Sequence, residues 1–217
     1  ALDALIREYQ ELFAASSHVP FADLAYTAGV RRSHHQYRLA VLGETPGECQ
    51  TALTELAQGG TPPGLALSRE PLAHRPKVVF IFSGQGAQWL GMGRQLLSEE
   101  PVFQAVIQEC DAAIREEAGW SLEGELLADA LRSKLARSDV MQPMVFAVSA
   151  ALAALYKSWG ICPDAVVGHS MGEVAAAYTA GALKLADAVR VICRRSALMQ
   201  RMHGLGAVAL VEASLGE

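Results

Sequence analysis

"VVGHSMGEVAAA", residues 166–177, decides how the chain folds. An apolar run stops at a serine set between two glycines, Gly168-His169-Ser170-Met171-Gly172, and an alanine-rich stretch of helical character begins at once. A strand that turns sharply into a helix places the turn residue at the carboxyl end of a parallel sheet, where open α/β sheets bind their ligands. Glycine suits both flanks, because side chains there would collide where strand and helix approach. The turn lifts Ser170 as a candidate nucleophile. It also aims the amide of Met171 at the place where an oxyanion would form, near the positive end of the helix dipole. The same five residues also fit an ordinary tight turn; a strand before and a helix after favour the catalytic reading. His169 adjoins the serine, and adjacent side chains diverge on such a turn, so its expected place is behind Ser170, supporting the loop.

Working outward, "KVVFIF" (77–82) is a near-continuous apolar run, the pattern of a strand buried on both faces of a parallel sheet. The loop after it, "SGQGAQW" (83–89), lacks the Gly-Lys-Ser/Thr of a P-loop, and Trp89 occupies the third glycine position of G-x-G-x-x-G. It offers instead a bared backbone around Gln85, which suits a second oxyanion donor or a plain strand-to-helix turn. Helices are expected over 102–118, over 141–160 with Pro143 near the first turn, and over 186–203; a strand is expected over 162–168. Strands alternating with helices imply βαβ units and a mostly parallel sheet. Upstream, residues 1–15 have the spacing of a one-faced helix, 37–43 read as a strand, and Thr45-Pro46-Gly47-Glu48 starts a helix over 46–58. Pro71 to Pro76 reads as a linker. The expected fold is α/β, with a small α/β unit over 1–75 ahead of a larger parallel-sheet unit.

Composition bounds the function. Of 217 residues, 51% are apolar, enough for a sizeable core, and the net charge of −5 argues against a general nucleic-acid binder. Cys49, Cys110, Cys162 and Cys193 show no C-x-x-C and no metal spacing, so buried thiols in a reducing compartment are expected. No signal peptide is visible and no apolar run reads as long enough to span a bilayer, which points to a cytoplasmic protein without membrane contact.

Four stretches, "FIFSGQGAQWLGMG", "QPMVFAVSAALAALYKSWG", "VVGHSMGEVAAAYTAGAL" and "RRSALMQRM", resemble in order and spacing the malonyl-CoA:acyl carrier protein transacylase family, and above all the acyltransferase domains of modular type I polyketide synthases. "YTAGVRRSHHQYRLAVLG" (26–43) is similar to the linker domain that joins ketosynthase to acyltransferase in those assembly lines. The resemblance implies an α/β-hydrolase-like core. It divides the chain into a linker domain over 1–75, the large acyltransferase subdomain over 76–205, and the start of a ferredoxin-like small subdomain over 206–217. It implies an acyl-CoA donor, an acyl-serine on Ser170, and a phosphopantetheine thiol on a carrier protein as acceptor, with no permanently bound cofactor and no metal. Its oxyanion donors fall on the amides of Met171 and Gln85. Its carboxylate-binding arginine falls on Arg195, whose planar fork suits two parallel hydrogen bonds; without the resemblance Arg195 reads sooner as a solvated helix charge, as Arg194 does. Gln142 matches a glutamine lining the family's site, or else is a helix-start residue. Implied partners are the carrier protein, a neighbouring ketosynthase domain and the remainder of the acyltransferase domain.

Two departures stand out. The family's general base is a histidine beyond the small subdomain; this sequence ends at Glu217, where "GAVALVEASLGE" (206–217) resembles that subdomain's first strand, and His203 comes too early to be the base. A fragment, or one piece of a longer enzyme, is therefore expected. Lys184 also stands where many relatives carry a capping hydroxyl, so the last helix should start weakly, by about 1 kcal/mol. Met171 stands where many methylmalonyl-selective relatives carry glutamine and many malonyl-selective ones a smaller apolar residue, while "SDVMQP" (138–143) resembles the methylmalonyl-associated segment, so methylmalonyl is expected over malonyl, a choice over one methyl group. The alternative is a serine hydrolase of thioesterase type, which shares the turn and needs no carboxylate-binding arginine. Residues 1–75 are expected to dock and space domains, with His34 and His35 as ordinary residues rather than a metal site.

Overall fold

The computed structural model describes residues 2–15, 19–68, 70 and 76–206. The fold is α/β, and the chain divides into two units, residues 1–76 and 77–217. Residues 71–75 of the expected linker (71–76) and residues 207–217 of the expected strand and turn (206–217) lie outside the described residues.

The first unit runs α1 (Leu2–Ala14), α2 (Phe21–Val30), β1 (Arg38–Val41), α3 (Pro46–Ala57) and β2 (Leu65–Ser68). Strands β1 and β2 pair antiparallel from Arg38 opposite Ser68 to Val41 opposite Leu65. The start of α3 follows its sequence. Thr45 Oγ1 accepts from the Glu48 amide and Glu48 Oε2 accepts from the Glu44 amide, so two otherwise orphan donors are satisfied. The inner face of α3 buries Cys49, Ala52 and Leu53, and α1 lies against this helix. No strand was expected at 65–68, although "LALS" is a short run with strand spacing.

The second unit runs β3 (Val79–Phe82), α4 (Arg94–Glu99), α5 (Pro101–Ala118), α6 (Leu122–Leu126), α7 (Ser138–Ser158), β4 (Ala165–Gly168), α8 (Gly172–Thr179) and α9 (Leu185–Arg201). Strands β3 and β4 are parallel neighbours, with Phe82 opposite Gly168 at their carboxyl ends. Asp164 fixes that register: its carboxylate accepts from the Val78 amide and its own amide donates to the Val78 carbonyl. The core gathers Phe103, Ile107, Ile114, Leu122, Phe146, Val189 and Ile192 between α5, α7 and α9. Alanines on α7 and α8 (Ala147, Ala151, Ala175, Ala176) let the helices close on one another.

Three expectations need correction. The 77–82 strand is not buried on both faces: Phe82 points into the core, but Val79 is 47% and Ile81 77% exposed, and Val167 on β4 is 53% exposed. Among the described residues the sheet has only these two strands, and helices cover one side. Helix α7 begins at Ser138 rather than Met141, because Gln200 of α9 supplies an acceptor for the Ser138 amide, 2.8 Å away. Pro143 consequently lies inside the helix, where it donates no amide bond to the preceding turn. At 21 residues α7 is also long and apolar enough to cross a membrane by length and composition, contrary to the sequence reading; here most of it is buried in the protein interior. Lys184 does stand at the N-cap of α9 without a side-chain capping bond.

Candidate active site

The turn between β4 and α8 is built by close approach. A Cβ on Gly172 would run into the Phe82 carbonyl and lie 2.7 Å from the Ser83 oxygen, and one on Gly168 would strike the backbone of Glu173. With both flanks bare, the chain folds back at Ser170, the one non-glycine residue with positive φ (54°) among the described residues. The left-handed conformation strains a serine by about 1 kcal/mol and turns its hydroxyl outward. Ser170 is exposed, while the side chain of Met171 is packed into the core. The Met171 amide sits at the N-cap of α8.

The second loop leaves the carboxyl end of β3, beside the first. The His169 amide donates to the Phe82 carbonyl at 3.0 Å, and a Cβ on Gly84 would lie 2.8 Å from His169 Nδ1. His169 therefore fills the joint between the two loops and makes no hydrogen bond to Ser170 Oγ. Beyond it, the Gly86 amide donates to Gln88 Oε1, which holds the loop around Gln85. Among the described residues, neither the Gln85 nor the Met171 amide has an acceptor within the chain. Two uncommitted amides at neighbouring strand ends are the material of an oxyanion hole.

Arg195 closes the site from α9. Its Nη2 donates to Ser170 Oγ at 3.0 Å and its Nη1 to Gln142 Oε1 at 2.6 Å. Gln142, on α7, is 1% exposed, and its amide nitrogen donates to Met199 Sδ at 3.4 Å. Arg194 points elsewhere. Together with Arg190 it pairs Glu117 of α5, and the Arg194 bond foremost holds that carboxyl below its usual range. Adjacent arginines thus divide between structure and site because consecutive helix positions are about 100° apart. Sequence reading did not single out Met199 or Gln200; the signal was their place on α9, four and five residues beyond Arg195. Among the described residues no group of three or more histidine, cysteine, aspartate or glutamate side chains could hold a metal. His34 Nε2 meets the Gly29 carbonyl at 3.0 Å. Of the cysteines, Cys49, Cys110 and Cys193 are buried as expected, but Cys162, ahead of β4, is exposed.

Comparison with known proteins gives this arrangement a context. Residues 79–217 match the family model described as acyl transferase domain, and residues 1–53 the model described as CurL-like, PKS C-terminal. A mycocerosic acid synthase-like polyketide synthase of Mycobacterium tuberculosis is 49% identical over 191 residues, 88% of this chain and 9% of that protein. The spectinabilin polyketide synthase system protein NorA of Streptomyces orinoci is 40% identical over 216 residues, 100% of this chain and 11% of that protein. Among solved structures, the acyltransferase domain from module 8 of the salinomycin polyketide synthase has a TM-score of 0.77 at 33% identity, covering 92% of this chain and 47% of that one. The acyl transferase domain of ZmaA has a TM-score of 0.81 at 28% identity, covering 93% and 47%. The chain thus spans about a tenth of the length of these curated relatives and under half of these solved domains.

Proposed function

The chain belongs to the acyl transferase domain family, and from that premise we propose that it carries the nucleophile and carboxylate-binding half of a site that loads extender acyl groups from CoA onto a carrier protein of a polyketide synthase. Ser170 Oγ attacks the thioester carbonyl. The new C–O bond forms as the carbonyl electrons move onto oxygen, held by the Met171 and Gln85 amides. Collapse breaks the C–S bond and releases CoA thiol, leaving an acyl-serine. The phosphopantetheine thiol of the carrier protein then attacks the ester, takes the acyl group and returns the serine. Splitting the transfer in two is what a covalent nucleophile contributes. The hydroxyl proton goes to a base. Among the described residues no histidine or carboxylate bonds Ser170 Oγ, and the family resemblance assigns that base to a histidine downstream of this sequence. No permanently bound cofactor takes part in this reading.

The observation that carries the proposal is the Arg195 guanidinium, 3.0 Å from the Ser170 hydroxyl and anchored on buried Gln142. A hydrolase of simple acyl esters gains nothing from a cation there. A donor whose acyl group ends in a carboxylate does, because the charge is held while its thioester lies over the serine. Of such donors, methylmalonyl-CoA is favoured over malonyl-CoA on the strength of the 138–143 segment that holds Gln142. One methyl group is worth about 1–3 kcal/mol, so a preference of about tenfold or more is expected in direct competition.

The test is acyl-enzyme formation in the full-length polypeptide, read by intact or peptide mass after exposure to methylmalonyl-CoA, malonyl-CoA or acetyl-CoA. Ser170→Ala should take up no acyl group, and persistent labelling would remove the nucleophile. Arg195→Ala should lose dicarboxylic donors by about a hundredfold and acetyl-CoA far less. Equal losses, or water preferred over carrier protein as acceptor, would favour the hydrolase.

A further inference from the structure

Gln142 poses a question that its bond to Arg195 leaves open. A carboxamide has one end that accepts and one that donates. The guanidinium offers only donors, so it demands the oxygen of Gln142; a flipped amide would set N–H against N–H. The other end must then find an acceptor. At 1% exposure Gln142 is shut off from solvent water, and the acceptor its nitrogen reaches among the described residues is Met199 Sδ, at 3.4 Å. Arg195 and Met199 lie four residues apart on α9, so they project from the same face and grip the two ends of one amide.

We infer that Met199 is a positioning residue of this site: its thioether fixes the orientation of the Gln142 amide, and through it the pose of the Arg195 guanidinium beside Ser170. The inference rests on Arg195 holding the donor's carboxylate. A thioether is a weak acceptor, but the alternative is a buried N–H pair without a partner. With the sulfur removed, the pose that gives Arg195 its oxygen leaves the buried amide nitrogen without an acceptor, and the anchor that keeps Arg195 aimed at the site is weakened. The effect should fall on binding of carboxylate-bearing donors and spare donors that never touch Arg195.

Met199→Leu keeps the volume and removes the acceptor; Met199→Gln restores an acceptor oxygen. In the full-length polypeptide, Met199→Leu should raise KM for malonyl- and methylmalonyl-CoA about tenfold with kcat nearly unchanged, and move KM for acetyl-CoA less than about threefold. Met199→Gln should bring the dicarboxylic KM back to within about threefold of the parent. A Met199→Leu enzyme with parental KM for the dicarboxylic donors overturns the inference, as do equal losses on all three donors. A tenfold rise in Met199→Gln, read even if the leucine variant fails to fold, overturns it too. Arg195→Ala run alongside separates the two levels. If that variant does not discriminate between donors, the carboxylate reading falls and takes this inference with it. If it discriminates while Met199→Leu does not, only the inference falls.

Discussion

At Ser170 the chain holds a non-glycine residue at φ 54°, a conformation that its Cβ disfavours. It fits a turn in which the bare Gly168 and Gly172 let β4, α8 and the end of β3 approach more closely than side chains would allow. A serine here is therefore a cost in stability, for which the proposed nucleophile role supplies a reason. Ser170→Ala and Ser170→Gly both remove the hydroxyl and its bond from Arg195, and differ in tolerance of positive φ. The glycine variant should be more stable than the alanine variant by about 1 kcal/mol, measured by denaturant melts, and both should be unlabelled by acyl-CoA. The serine and its glycines were legible because a turn motif marks them, and Arg195 because the family resemblance places its arginine at that spacing from the serine. Met199 was not: a methionine on an amphipathic helix looks like packing until the amide it faces is seen. Gln142 could be read two ways for a similar reason, since burial and partner both come from α9, far along the chain.

Among elements, α5, α6 and α9 are joined by carboxylates. Asp111 on α5 is 8% exposed and accepts from Arg115, from Ser121 Oγ and from the Glu123 amide at the start of α6. Burial by itself would push its carboxyl up; the bonds from Arg115, the Glu123 amide and Ser121 outweigh it and hold the group below the usual range. A pKa lowered by folding means stability that is present above the unfolded value near pH 4 and is lost as the pH falls through the folded value. Asp111→Asn should cost about 2 kcal/mol at neutral pH. It should also flatten the fall in stability below about pH 4, as urea melts across that range would show. The limits of the elements were legible where a cap is local, as at Thr45, and misplaced where it is not. The start of α7 depends on Gln200, which no window around residue 138 contains.

In the whole molecule, the burial of thiols sets an alkaline limit. Burial pushes Cys110 and Cys193 up to about 12, with nearby carboxylates adding to it. The folded state thus keeps protons that the unfolded chain sheds above about pH 9. That stability is full below about pH 9 and falls as the pH rises through the folded value. Melts at pH 8 and pH 10.5 should show the fall, and a Cys110→Ala/Cys193→Ala double variant should show a shallower one. In the native protein Cys162 should react quickly with a thiol reagent, while the three buried cysteines wait for unfolding. The sequence by itself determined the order of the two strands and of α5, α7, α8 and α9 in the second unit, the serine turn and the second glycine loop, though not the short α4 and α6, because periodicity and glycine placement are local properties. It could not determine where α7 begins, since the acceptor for the Ser138 amide comes from Gln200 on α9. Nor could it determine what steadies Arg195 beside the serine. Those outcomes depend on which helix faces cross, and tertiary packing alone sets that, by bringing residues from α7 and α9 within hydrogen-bond distance.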